Sequence, residues 1–200
     1  VAAWGSSQYG GSASYMHSVE KIIPGTHSFT AITKDGHAVI WGKDNYSYTA
    51  TSTKGKAIDS ASTSGAYAIL SDTGKVTVFG TGSYSNPSAV LNSTISVVIN
   101  SGVTQIASNS KAFAIIKNDG SAYAWGEFKY GGGGGGIRNS TQEPKAVKLI
   151  ANEAGFALLR EDGTAKTWGA AGTGYLTENN SYVKFKDITA TSDYGFSGLK

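Results

Sequence analysis

Short β-rich apolar runs, paired about an Asp-Gly or Thr-Gly step, recur along this chain. The segment AFAIIKNDGSAYAWG (112–126) has counterparts in SFTAITKDGHAVIWG (28–42), AYAILSDTGKVTVFG (66–80) and GFALLREDGTAKTWG (155–169). Each copy opens on an aromatic residue: Phe29, Tyr67, Phe113 and Phe156. Seven residues on stands a glycine, Gly36, Gly74, Gly120 or Gly163, and twelve residues on stands a second aromatic, Trp41, Phe79, Trp125 or Trp168. A final Gly closes every copy. This pattern predicts a β-hairpin in each copy, because Gly supplies the positive φ of a tight turn between two strands.

Two further signals extend the unit. Tyr recurs five residues after the closing aromatic, at Tyr9, Tyr46, Tyr84 and Tyr130. Ahead of each hairpin lies another apolar run ending in Ile23, Ile58, Ile106, Ile150 or Ile188, which predicts a third strand and leaves room for a fourth. The ends fit the same frame. GFSGLK (195–200) reads as a first hairpin strand with Phe196 in the lead, and VAAWG (1–5) reads as a second strand closing on Trp4.

The chain therefore reads as one repeat domain, 1–200, of about five units of roughly forty residues. Their expected limits are 6–42, 43–80, 81–126, 127–169, and 170–200 completed by 1–5. A unit this small cannot bury enough surface alone, so both faces of its sheet must pack on neighbours. Radial stacking gives an all-β propeller of about five four-stranded blades, the last completed by the N-terminal strand. An open segment of a longer propeller or repeat array is the alternative.

Composition agrees. The 200 residues include 27 Gly, and Ile and Val far outnumber Leu, a balance that favours strands and turns. There is no Cys, which excludes disulfides, thiolate metal sites and a cysteine nucleophile. No apolar run approaches the ~18 residues of a membrane span. With Val1 first and a single Met, Met16, the sequence reads as a processed chain or an excised segment.

The start WGSSQYGG (4–11) and the hairpin AFAIIKNDGSAYAWG (112–126) resemble repeats of the regulator of chromosome condensation family. The likeness covers nearly the whole chain and is nearer to the short repeats of bacterial surface and protist proteins. It implies a β-propeller with no catalytic residue inside the repeat. The units here are fewer and shorter than in the full family propeller. YGG stands only after the first and fourth closing aromatics; YSY and YSN replace it at Tyr46 and Tyr84.

Candidate chemistry is sparse. The run Gly131 to Gly136 lacks the Gly-Lys-Ser/Thr ending of a phosphate loop. His17, His27 and His37 show no ligand spacing with an acidic partner, and Asp35, Asp119 and Asp162 sit at turns, where a carboxylate bonds local backbone. No metal site, cofactor or catalytic constellation is expected, and the chain is read as no enzyme. The repeated aromatics, Phe196 included, are assigned to the core. Tyr9, Tyr46, Tyr84 and Tyr130 are candidates for a ligand rim. Asn45, Asn92, Asn139 and Asn179 begin N-x-Ser/Thr acceptors for N-glycans.

A net charge of +3 with scattered Lys and Arg speaks against a nucleic-acid partner. The expected function is a structural and binding module of an extracellular or surface protein, an adhesin or filament subunit, with a protein partner or self-association by strand addition. A glycan-binding lectin is the first alternative. The second is a nuclear or cytoplasmic nucleotide-exchange and chromatin-binding propeller.

Overall fold

The computed structural model describes residues 1–13, 16–43, 48–50, 55–80, 99–133, 136–138, 143–170, 183–191 and 193–200. These form five antiparallel sheets, and α-helix is absent among the described residues. The first sheet holds β1 (Val19–Pro24), β2 (Ser28–Thr33), β3 (Ala38–Gly42) and β4 (Tyr48–Ala50). The second holds β5 (Ala57–Ser62), β6 (Ala66–Ser71) and β7 (Val76–Gly80). In the third are β8 (Val103–Ser108), β9 (Ala112–Lys117), β10 (Ala122–Gly126) and β11 (Gly136–Arg138). The fourth comprises β12 (Ala146–Ala151), β13 (Gly155–Arg160) and β14 (Ala165–Gly169), and the fifth β15 (Asp187–Ala190) and β16 (Phe196–Leu199). Where a fourth strand is seen, as in β4 and β11, it pairs with the hairpin before it.

The twelve-residue spacing acquires a structural meaning in the register. Phe29 lies opposite Trp41, Tyr67 opposite Phe79, Phe113 opposite Trp125 and Phe156 opposite Trp168. The ring centroids of these cross-strand pairs are 5.3, 5.6, 5.3 and 5.4 Å apart. Offset stacking at such distances adds to the burial of the rings.

Period-two alternation gives each sheet two unlike faces. In the third sheet, Phe113, Ile115 and Trp125 face one way and pack with Ala66, Ala68 and Leu70 of the second sheet. Its other face presents Ala112, Ala114, Ala122 and Ala124 to Phe156 and Leu158 of the fourth. An aromatic face against an aliphatic face thus recurs from sheet to sheet, and it gives the array a direction. The core accordingly lies between sheets: Phe113, Trp125 and Phe156 are at most 1% exposed.

The first strands of successive sheets, β1, β5, β8, β12 and β15, come together and form the inner edge of the stack. In four of them a β-bulge shifts the register near the start, between Val19 and Lys21, Ala57 and Asp59, Val103 and Gln105, and Ala146 and Lys148. The extra residue is exposed, which explains why Ile58, an apolar residue within a strand, is 46% exposed.

One expectation is corrected. The N-terminal strand does not complete the fifth sheet: Val1–Gly5 form no strand, Trp4 is 86% exposed, and β16 pairs with β15. Sheets pack strictly in chain order, first on second through to fourth on fifth. The open-segment alternative is compatible with this arrangement.

Candidate functional site

The hairpin turns line one rim. Each glycine that the spacing placed there has a left-handed φ: Gly36 +85°, Gly74 +73°, Gly120 +79° and Gly163 +83°. The Gly36 N–H donates to Thr33 O at 2.8 Å, a tight turn ending on a left-handed residue. These glycines also dock the next sheet. Their carbonyls accept from Ala57 N (2.9 Å), Val103 N (2.9 Å), Ala146 N (3.1 Å) and Phe185 N (2.8 Å) respectively. A Cβ on Gly120 would stand 2.4 Å from Lys145 Cβ.

The turn carboxylates serve the turns. Asp119 Oδ1 accepts from Ser121 N (2.8 Å) and Ser121 Oγ (2.6 Å), and Asp162 Oδ1 from Thr164 N (2.9 Å) and Thr164 Oγ1 (2.6 Å). Thr33 Oγ1 donates to Asp35, whose other oxygen lies 2.7 Å from His37 Nδ1. The Thr33 hydroxyl above all, with His37, lowers the Asp35 pKa. For Asp162 desolvation raises the pKa, but the Lys184 ammonium 2.8 Å away and Thr164 outweigh it and bring it to about 2. Among the described residues no three His, Cys, Asp or Glu side chains gather to hold a metal ion.

The inner edge carries a polar series that the Ile-based reading of these strands overlooked. Eight residues before four of the leading aromatics stand Lys21, Asp59, Gln105 and Lys148, and Asp187 takes the corresponding place in β15. Lys21 Nζ meets Asp59 Oδ1 at 2.8 Å and Lys148 Nζ meets Asp187 Oδ1 at 2.5 Å. The Gln105 amide donates to Val147 O (2.7 Å) and accepts from Leu149 N (3.0 Å), as a strand residue would. The Lys148 bond is the chief cause that lowers the Asp187 pKa. The constant spacing of eight was the signal in the sequence.

The opposite rim gathers the segments that leave each closing glycine. Lys43 N donates to His27 O (2.9 Å), Glu127 N to Lys111 O (3.0 Å) and Ala170 N to Ala154 O (2.9 Å). After Gly5 and Gly126 the chain makes a short 3-10 turn, Ser7–Tyr9 and Phe128–Tyr130. The first glycine of YGG ends both turns and accepts an indole proton from the following sheet: Trp41 Nε1 donates to Gly10 O and Trp168 Nε1 to Gly131 O, each at 3.1 Å. A Cβ on Gly131 would come within 3.0 Å of both Phe156 and Trp168. YGG is therefore a clasp for the next aromatic pair.

The candidate rim tyrosines differ from one another. Tyr9 is 50% exposed, its ring 5.7 Å from that of His27. Tyr130 is half-buried against the core, with Lys111 Nζ 5.0 Å above its ring. Tyr46 and Tyr84 lie outside the described residues, as do Asn45, Asn92, Asn139 and Asn179. The Gly131 to Gly136 run is described only in part. The residue that stands out on this rim was not singled out in the sequence: Phe128, 81% exposed, beside Lys129 and the Lys111–Glu127 ion pair (3.2 Å).

No family model matches the sequence, and no curated protein does. Solved structures do. The chain resembles Prp20p from Saccharomyces cerevisiae, described for its binding to Gsp1p and histones, with TM-score 0.63 and 14% identity over 86% of this chain and 54% of that one. Yeast RCC1 (Prp20) bound to Kap60 gives TM-score 0.61 at 14% identity over 94% of this chain and 56% of that one. The CRINKLY WD40 ectodomain of the Arabidopsis thaliana receptor kinase ACR4 gives TM-score 0.58 at 13% identity over 90% of this chain and 59% of that one. The fold is a β-propeller, and the chain spans about half the length of the solved structures it matches.

Proposed function

We propose that the chain is a non-catalytic β-propeller segment that acts as a structural and protein-binding module of a surface or extracellular protein, such as an adhesin or filament subunit. The observation that carries the binding role is the division of labour among its aromatic residues. Four stacked pairs hold the sheets together, and two of their indole protons are engaged by Gly10 and Gly131. Exposed aromatic side chains, Tyr9 and Phe128, stand instead on the rim of linker turns. An aromatic residue held at a surface by a rigid scaffold suits protein recognition.

Two likenesses support this reading. Prp20p has protein partners, Gsp1p and histones, and the ACR4 match is a receptor ectodomain. A lectin role would need equivalent tyrosines along the rim, and Tyr130 is engaged in packing instead. The test is affinity purification of the tagged chain from its own cells, beside a glycan array. A protein partner retained near stoichiometry, with no glycan signal, is the expected result. Glycan binding without any protein partner would overturn the reading. Mass spectrometry of the secreted chain at Asn45, Asn92, Asn139 and Asn179 tests the surface location separately.

A further inference from the structure

Two linker turns in this molecule have the same backbone and different side chains. The residues that open them have φ/ψ of −67°/124° (Ser6) and −72°/126° (Glu127), and the glycines that close them have 89°/14° (Gly10) and 89°/8° (Gly131). Their hydrogen bonds match: Tyr9 N and Gly11 N donate to Ser6 O, and Tyr130 N and Gly132 N to Glu127 O. At the first position of the turn one has Ser7 and the other Phe128. A serine makes this turn as well as a phenylalanine does, so the fold places no demand on the Phe128 ring.

That ring is nonetheless displayed at high cost in exposed apolar surface. Phe128 is 81% exposed, with Gly133 beneath its edge. The turn is clamped to the sheet by Glu127 N on Lys111 O (3.0 Å) and by Asn109 Nδ2 on Tyr130 O (2.8 Å). The ring therefore projects from a fixed base, which lowers the ordering cost of binding.

The charges around it define what it fits. Lys111 is paired with Glu127 at 3.2 Å, while exposed Lys129 forms no ion pair among the described residues. One unpaired cation next to a carboxylate is poorly suited to a phosphate backbone, whose binding grows with the number of cations engaged. It suits a protein pocket that is apolar within and acidic at its edge. We propose that Phe128 is the anchor of a protein-docking site, inserting into an apolar pocket flanked by carboxylates, with Lys129 facing those carboxylates.

This rests on the protein-binding reading and names its site. The test compares the wild-type chain with F128S, F128W and K129E, using three fluorescent probes: a peptide of two leucines flanked by glutamates, the same peptide with lysines for glutamates, and an oligothymidylate. F128S is expected to melt within about 2 °C of wild type, since Ser7 already serves in the twin turn. The acidic peptide should bind wild type and F128W, bind F128S about tenfold more weakly, and lose several-fold in K129E. Equal binding to wild type and F128S overturns the site and leaves the protein-binding reading standing. Binding of the lysine peptide or the oligonucleotide in preference, or of no probe, overturns the partner chemistry. A melting loss in F128S as large as that of a core substitution would make Phe128 structural and end the proposal.

Discussion

The second–third and fourth–fifth sheet interfaces are built from the same repeat and hold by different means. Between the second and third, Ala66, Ala68, Leu70, Val76, Val103, Phe113, Ile115 and Trp125 form a buried apolar cluster. Between the fourth and fifth, Ala157, Leu159 and Ile188 are the buried members of the cluster among the described residues, with Ile150, Phe185 and Phe196 packed around them. Two ion pairs bridge that thinner interface, Lys148–Asp187 and Lys184–Asp162. Between the second and third sheets, where Phe113 has Trp125 opposite it, the cluster is apolar; between the fourth and fifth, where Phe196 has no such partner among the described residues, charge takes a larger share. Replacements at the two interfaces should therefore respond differently to size, to acid and to salt.

The largest effect is expected from W125A. Its ring is 1% exposed and stacked on Phe113, so truncation should cost about 3–5 kcal/mol, read by urea denaturation. A comparable loss from F196A, whose ring is only half-buried, would break the contrast. Next comes G131A, which adds a Cβ within 3.0 Å of Phe156 and Trp168 at a φ of +89°; a loss of about 1–3 kcal/mol is expected. A neutral G131A would remove the clasp assigned to YGG.

Acid should act on the fifth sheet before the third. Asp162 titrates near 2 in the folded chain, below its unfolded value, so its stabilising pair with Lys184 is fully present above about pH 4. It weakens as pH falls from there toward 2, and Asp187 follows the same direction. Hydrogen exchange corrected for intrinsic rate should show 183–199 opening at a higher pH than 112–126. Simultaneous opening would contradict the difference. The smallest effect belongs to the exposed Lys21–Asp59 pair: a K21A/D59A cycle should return about 0–1 kcal/mol and vanish in high salt.

The sequence announced the hairpins because three spacings recur without gaps, and spacing is what register requires. Trp41 opposite Phe29 follows directly from twelve residues with a turn midway. The inner strands were harder to place, since the reading anchored them on isoleucines that lie six to nine residues before the aromatic. Lys21, Asp59, Gln105 and Lys148, which follow the bulges, keep a constant eight, yet nothing in a single strand says that a polar side chain will reach its neighbour in the next sheet. The expected strand at Val1–Gly5 is not seen for a related reason. The matching halves VAAWG and GFSGLK record local hairpin chemistry, whereas closure depends on the angle between sheets, which no local spacing encodes. Phe128 escaped notice because an exposed aromatic cannot be told from a buried one without its surroundings.

The account turns on aromatic pairs clasped between successive sheets, with Trp4 outside them, and the four indole N–H groups report on it most directly. In an 15N-labelled sample, the Trp41, Trp125 and Trp168 indole protons should exchange slowly, and that of Trp4 should exchange at the rate of a free side chain. Slow exchange at all four, with Trp4 contacting Phe196, would show the N-terminal residues completing the fifth sheet and contradict the exposed Trp4.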